Sequence, residues 1–220
     1  MNAEKSYNAM KHDLLSSGSC MNCTIFELVD HLRKHPELCY GKVGDGKEYD
    51  DCIYCMLQEV LDNAVDEFKC GYGTEVGISV DYESGAMSVR DYGRGVPVNK
   101  LDVCFGCDLN HGGIYPPDTH ILVHYLIANA GVRRVCALSK CFSVRSVRDE
   151  KFGEIVFECG RQISYVQGKC ADGERHGTLV RWSPDAAIFP NCSISPEHVN
   201  RRISNCAMAN PGMKFILNGA

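Results

Sequence analysis

Residues 57–67 read Leu57-Gln58-Glu59-Val60-Leu61-Asp62-Asn63-Ala64-Val65-Asp66-Glu67, and the chain returns to a polar cluster at Arg90-Asp91-Tyr92-Gly93-Arg94-Gly95-Val96-Pro97. The first stretch lies in a longer run where Ile53, Met56, Leu57, Val60, Leu61, Ala64, Val65 and Phe68 keep helical spacing. The sequence therefore predicts a helix from about Ile53 to Lys69 with one broad apolar stripe. At about 100° per residue, Glu59, Asn63 and Glu67 advance in steps of about 40° along one border of that stripe and into it. A carboxylate and an amide one turn apart at the edge of a core can offer an acceptor to a water and an oxygen to a hard cation. The same spacing also suits a helix with ordinary charged flanks.

The second stretch follows a strand-like run. Glycines two apart at a strand end let backbone approach a ligand closely or take positive φ, and the preceding Asp91 can accept from a donor edge. Turns use these residues too, so the conjunction with the helix carries the weight. Outward from these landmarks, strands are expected at Glu75–Tyr82 and Ala86–Asp91, joined by a Glu83-Ser84-Gly85 turn. Further strands are expected at Phe142–Val147, Gly153–Glu158, Gln162–Val166, Thr178–Trp182 and Lys214–Leu217, with helices at Thr24–His35 and Glu197–Ala209 and a Gly- and Asp-rich loop over Gly41–Asp51. Helices mixed with hairpin strands predict an α+β fold, a layer of helices on one face of a mostly antiparallel sheet.

A chain of 220 residues with 45% hydrophobic and 23% charged side chains can bury a core, which excludes the disordered and fibrous classes. The formal net charge of -5 argues against direct duplex binding, which draws on Lys and Arg neutralising phosphates. Met1–Ser19 has no apolar run of signal-peptide length, and no stretch approaches the roughly 18 apolar residues of a membrane span. The expectation is a cytoplasmic protein with no membrane partner. Fourteen cysteines include three pairs of two-residue spacing, Cys20 with Cys23, Cys52 with Cys55, and Cys104 with Cys107. Structural zinc sites bring such pairs about 15 to 20 residues apart, and these lie further apart, so the thiols are expected to act as small core hydrophobes.

The helix with Asp62-Asn63-Ala64 and Asp66-Glu67, followed by Asp91-Tyr92-Gly93-Arg94-Gly95, resembles the Bergerat (GHKL) ATP-binding fold, a two-layer sandwich. Arg33-Lys34-His35-Pro36 ahead of Gly41-Lys42, Gly93-Arg94-Gly95-Val96-Pro97, Gly112-Gly113-Ile114-Tyr115, Ala137-Leu138-Ser139, Gly177-Thr178-Leu179-Val180 and Asn210-Pro211-Gly212 resemble its gyrase B and topoisomerase IV B branch, the N-terminal ATPase domain of type II DNA topoisomerases. The resemblance runs from about residue 28 onward and implies an arm over residues 1–27 and an ATP-binding domain over 28–220. It implies ATP and Mg²⁺ as ligands. Glu59 would be the general base, Asn63 would hold Mg²⁺, and Asp91 would accept from the adenine amino group with Thr178 beside it. Glu67, Arg94, Gly95, Pro97 and Arg148 would line the pocket, Asn129 and Gly131 would belong to the phosphate lid, and Tyr7 would reach the partner's nucleotide. The implied partners are a second copy through this domain, the topoisomerase A protein, and DNA through domains that this chain lacks.

One region departs from the pattern. Relatives carry a glycine-rich phosphate lid where this chain reads Tyr125-Leu126-Ile127-Ala128-Asn129-Ala130-Gly131-Val132, keeping only Gly131 of the glycines, and Ile114 stands where a lysine is usual. Side chains at glycine positions obstruct close amide approach, so weaker triphosphate binding and slower turnover are expected. The resemblance implies that the transducer domain, which resembling proteins use to reach the γ-phosphate, would lie beyond these 220 residues. The rival expectations are a Bergerat module that dimerises or regulates without hydrolysis, and a zinc protein using the Cys pairs.

Overall fold

The computed structural model describes residues 25–106 and 131–219. Helices α1 (Ile25–Lys34), α2 (Glu37–Tyr40) and α3 (Cys52–Lys69) precede strands β1 (Glu75–Val80) and β2 (Met87–Asp91). Helices α4 (Leu101–Phe105) and α5 (Gly131–Leu138) lead into strands β3 (Ser139–Arg148), β4 (Lys151–Glu158), β5 (Arg161–Lys169) and β6 (Gly177–Pro184), then α6 (Pro196–Ala209) and β7 (Lys214–Leu217). The seven strands form one sheet in the order β5-β4-β3-β6-β2-β1-β7. Only β1 with β7 is parallel.

The register explains why this sheet carries helices on one face. Directly opposed residues share a face, and one rib across the sheet reads Ile78, Val89, Val180, Val144, Ile155. The next reads Val80, Met87, Trp182, Phe142, Phe157, and every member of both ribs is buried. The alternate rib, Ser79, Ser88, Arg181, Ser143, is polar and belongs to the open face. Against the apolar ribs lies the stripe of α3, where Ile53, Met56, Leu57, Val60, Leu61, Ala64 and Val65 are all buried in the same core. The expected α+β two-layer sandwich is what the chain forms.

Asp51 starts α3 and folds the loop before it. Its wholly buried carboxylate accepts the N–H groups of Gly46 at 2.9 Å and Glu48 at 3.2 Å, and Lys42 Nζ lies 3.1 Å from its other oxygen. The sequence did not predict α5. Its residues 131–138 were expected as the end of a lid and a short motif, but Val135, Cys136, Ala137 and Leu138 are buried and packing makes them a helix. Strands β3 to β6 run one to three residues past their expected ends, except that β4 stops at Glu158 as expected, because ladder hydrogen bonds continue where the apolar alternation has already lapsed.

Candidate functional site

The apolar ribs have a third neighbour at one end of the sheet, and it is polar. Val76 faces Asp91, and one step further along each strand from the Arg90–Leu179 pair lie Asp91 and Thr178; Thr178 in turn faces Ser146, and Ser146 faces Gly153. Asp91, Thr178 and Ser146 thus sit on the core side of the sheet. Thr178 is 7% exposed and Ser146 fully buried. A buried polar group needs a partner. Asp91 Oδ1 accepts the backbone N–H of Gly93 at 2.9 Å and of Thr178 at 3.2 Å, and Ser146 Oγ donates to the carbonyl of Val96 at 2.7 Å. Oδ2 of Asp91 receives no protein hydrogen bond among the described residues. Burial raises the Asp91 carboxyl above its ordinary range, against the two N–H donors and Arg90, which lower it.

The loop after Asp91 is held from three sides. Glu67 on α3 accepts the backbone N–H of Arg94 at 2.9 Å and its Nη2 at 2.7 Å and Nε at 3.2 Å, while the guanidinium lies 4.3 Å from the centre of the Tyr72 ring. These bonds from Arg94 hold the Glu67 carboxyl below the usual carboxylate range. Gly95 takes φ 75°, and a Cβ there would overlap the carbonyl oxygen of Val147, so glycine is required on both counts. Arg148 Nη1 donates to the Gly95 carbonyl at 3.1 Å. Pro97 is half-buried, and its carbonyl accepts the N–H of Lys100 at 2.9 Å as α4 begins.

Glu59 lies near the middle of α3. Eight residues at about 1.5 Å each place it about 12 Å along the axis from Glu67. Its carboxylate is half-buried and packs against the start of α5, where a Cβ on Gly131 would overlap Glu59 Oε2. Burial raises the Glu59 carboxyl, Arg134 on α5 lowers it, and Asp62 adds to the rise. Asn63, between Glu59 and Glu67, is exposed rather than set into the stripe border, and makes no protein hydrogen bond among the described residues.

Of the expected site residues, Asp91, Arg94, Gly95, Arg148, Thr178 and Glu67 come together at the C-terminal end of α3, and Glu59 and Gly131 meet beside its middle. Tyr7 and Asn129, like most of the lid, lie outside the described residues. Ser146, Tyr40, Tyr72 and Arg134 were missed. Ser146 had a readable signal, being the polar residue that continues the Phe142 and Val144 alternation of β3. Of the eleven described cysteines, Cys39, Cys52, Cys136 and Cys206 are buried in the core as expected, whereas Cys70 and Cys141 are exposed and the other five half-buried. No three His, Cys, Asp or Glu converge as a metal cage among the described residues; Cys20, Cys23 and Cys107 lie outside them. No described helix is long and apolar enough to cross a membrane.

No protein-family model matches the chain. It is 35% identical over 185 residues to the B protein of DNA topoisomerase 4 from Borreliella burgdorferi, covering 84% of this chain and 30% of that protein. It is 29% identical over 205 residues to DNA gyrase B of Thermotoga maritima, covering 90% and 31%. Among solved structures, the 43K ATPase domain of Thermus thermophilus gyrase B, determined in complex with an aminocoumarin, superposes with a TM-score of 0.67 at 26% identity, covering 86% of this chain and 48% of that one. The chain thus spans about a third of the length of these curated relatives.

Proposed function

Because this chain is a homologue of the ATPase domain of gyrase B and topoisomerase IV B, we propose that it binds ATP with Mg²⁺ and hydrolyses it to drive closure and reopening of a protein dimer during DNA strand passage. The observation that carries the reading is Asp91: a half-buried carboxylate with Oδ1 occupied by two backbone donors and Oδ2 left as an acceptor for an exocyclic amino group. A site that presents one fixed acceptor selects against bases lacking the matching donor. Gly95, propped by Arg148, and Thr178 form the walls beside it.

From Asp91, the polar edge of α3 leads through Asn63 to Glu59. The exposed Asn63 amide, with no protein hydrogen bond among the described residues, fits a cation that takes few protein ligands and keeps several waters. Mg²⁺ there would spread the charge that develops on the phosphates. Glu59 orients the attacking water and takes its proton, a role for a carboxylate that burial makes a stronger base. Residues 125–130, where side chains replace most of the expected glycines, support slower turnover than relatives achieve.

The homology supports further readings: an arm over residues 1–27 with Tyr7 at the partner's nucleotide, a homodimer through residues 28–220, assembly with a topoisomerase A protein, contact with DNA through other domains, and a cytoplasmic location. Calorimetric titration with a non-hydrolysable ATP analogue and Mg²⁺, on the parent chain and on Asp91→Ala and Glu59→Ala, tests the core of this. Asp91→Ala should abolish binding, and Glu59→Ala should keep binding while losing hydrolysis. A parent chain that binds no nucleotide would instead be a module that dimerises or regulates without catalysis.

A further inference from the structure

Tyr40 and Arg134 belong to none of the motifs that carry the nucleotide reading, yet both reach the Glu59 end of the site. Tyr40 is the last residue of α2, and its hydroxyl donates to the carbonyl of Gly131, the first residue of α5, at 2.6 Å. Arg134, one turn further along α5, returns a bond in the opposite direction, Nη1 to the carbonyl of Cys39 at 2.9 Å. Its guanidinium lies 5.8 Å from the centre of the Tyr40 ring. Two hydrogen bonds and a stacked cation therefore clasp the end of α2 to the start of α5.

The clasp acts on Glu59 through contact. Gly131, whose carbonyl Tyr40 holds, is the backbone against which Glu59 Oε2 packs, with no room for a Cβ between them. Glu59 stands on α3, so its orientation relative to α5 depends on what fixes the first turn of α5. Tyr40 on α2 and Arg134 on α5 tie that turn to α2, while Arg133 ties it to the carbonyls of Val103 and Cys104 on α4, and the positive charge of Arg134 favours the ionised carboxylate. The Tyr40 phenol is itself pushed above its ordinary range by burial and by Glu59, which keeps it a donor.

We propose that Tyr40 and Arg134 are positioning residues for ATP hydrolysis: their reciprocal bonds between α2 and α5 fix Gly131 against Glu59 and thereby aim the carboxylate that activates water. This rests on the reading of Glu59 as the base. A small displacement of a catalytic group is costly because the reacting atoms must lie within near-attack range.

The test uses Tyr40→Phe, Arg134→Met and Arg134→Lys in the full chain, with two independent readouts. In steady-state ATPase assays, Tyr40→Phe and Arg134→Met should each lower kcat by about tenfold or more, while KM and the dissociation constant of a non-hydrolysable ATP analogue stay within roughly twofold. Arg134→Lys should recover part of the loss, and the double variant should fall no further than the worse single one, as expected of two parts of one device. Without nucleotide, amide hydrogen exchange should quicken at residues 131–135 and stay unchanged in β3. Unchanged exchange at 131–135 in folded Tyr40→Phe would overturn the clasp whatever the ATPase result. Faster exchange with unchanged kcat, or affinity that weakens in step with kcat/KM, would overturn the positioning role. A parent chain without turnover would overturn the Glu59 reading, and the exchange data would still report whether the clasp exists.

Discussion

Oδ1 of Asp91 accepts the backbone N–H of Thr178, 3.2 Å away on the neighbouring strand, so a single carboxylate both ties the end of β2 to the start of β6 and keeps a second oxygen with no protein donor among the described residues. The two duties can be separated by substitution. Asp91→Asn keeps an oxygen for the Gly93 and Thr178 donors but turns an N–H₂ toward the pocket, where an adenine amino group is also a donor. Affinity for an ATP analogue should fall by at least about 100-fold with little loss of thermal stability. Asp91→Ala should lose binding and also about 1–3 kcal/mol of stability, since two backbone donors are left without a partner. Calorimetry and thermal unfolding on both variants give the comparison.

Glu67 and Arg94 make a partly exposed pair, with side chains 26% and 45% accessible, so solvent screens their attraction. Its pH dependence has a definite sign. The folded Glu67 carboxyl lies below its unfolded value, so the stabilisation is present above the unfolded value of about 4.3 and is lost as pH falls through the folded one. Thermal unfolding of the parent and Glu67→Gln should therefore differ at neutral pH and converge in acid. A difference that did not shrink as the pH is lowered through the acid range would contradict the assignment.

Much of this could be read in the sequence, for reasons visible in particular residues. The α3 stripe and the β1–β2 hairpin are amphipathic with a clear period, so helix and strands fell where expected, and Asp91 and Gly95 stood out because a strand end with spaced glycines has few uses. Helix α5 was hidden because Arg133 and Arg134 interrupt the apolar pattern, and its burial comes from contacts with α1 and α3 far away in sequence. The clasp was hidden for the same reason: a Tyr and an Arg separated by most of a domain carry no local signal of pairing. Asn63 was read onto a stripe border from angle alone, whereas the side chain projects to solvent.

Burial raises the Glu59 carboxyl against the opposing charge of Arg134, and under the proposed role of Glu59 as the base this would set the acid side of the rate profile. If the proposed hydrolysis uses the ionised carboxylate, kcat should fall about tenfold per unit of pH below a midpoint above the ordinary glutamate value of about 4.3. The stability effect has the opposite sign. A raised folded value means stability is greatest below the unfolded value and declines as pH rises through the folded one. Glu59→Gln should therefore be at least as stable as the parent at neutral pH while losing turnover, measurable by thermal unfolding beside the ATPase assay.

Gly131→Ala and Gly95→Ala should fail in opposite ways, because the obstacles differ. At Gly131 the added methyl meets Glu59 Oε2, the far end of a flexible side chain, and the backbone there is not in the left-handed region, so the carboxylate can swing aside. Stability should hold, or rise by up to about 1 kcal/mol as alanine replaces glycine in a helix, while kcat drops because the base has moved. At Gly95 the methyl meets the Val147 carbonyl and φ is 75°, so nothing short of backbone movement relieves it. That variant should lose about 1–3 kcal/mol of stability and bind nucleotide poorly, since the loop that moves carries the wall beside Asp91. Thermal unfolding and analogue titration distinguish the two, and a Gly131→Ala protein with parental kcat would show that Glu59 does not need its observed place.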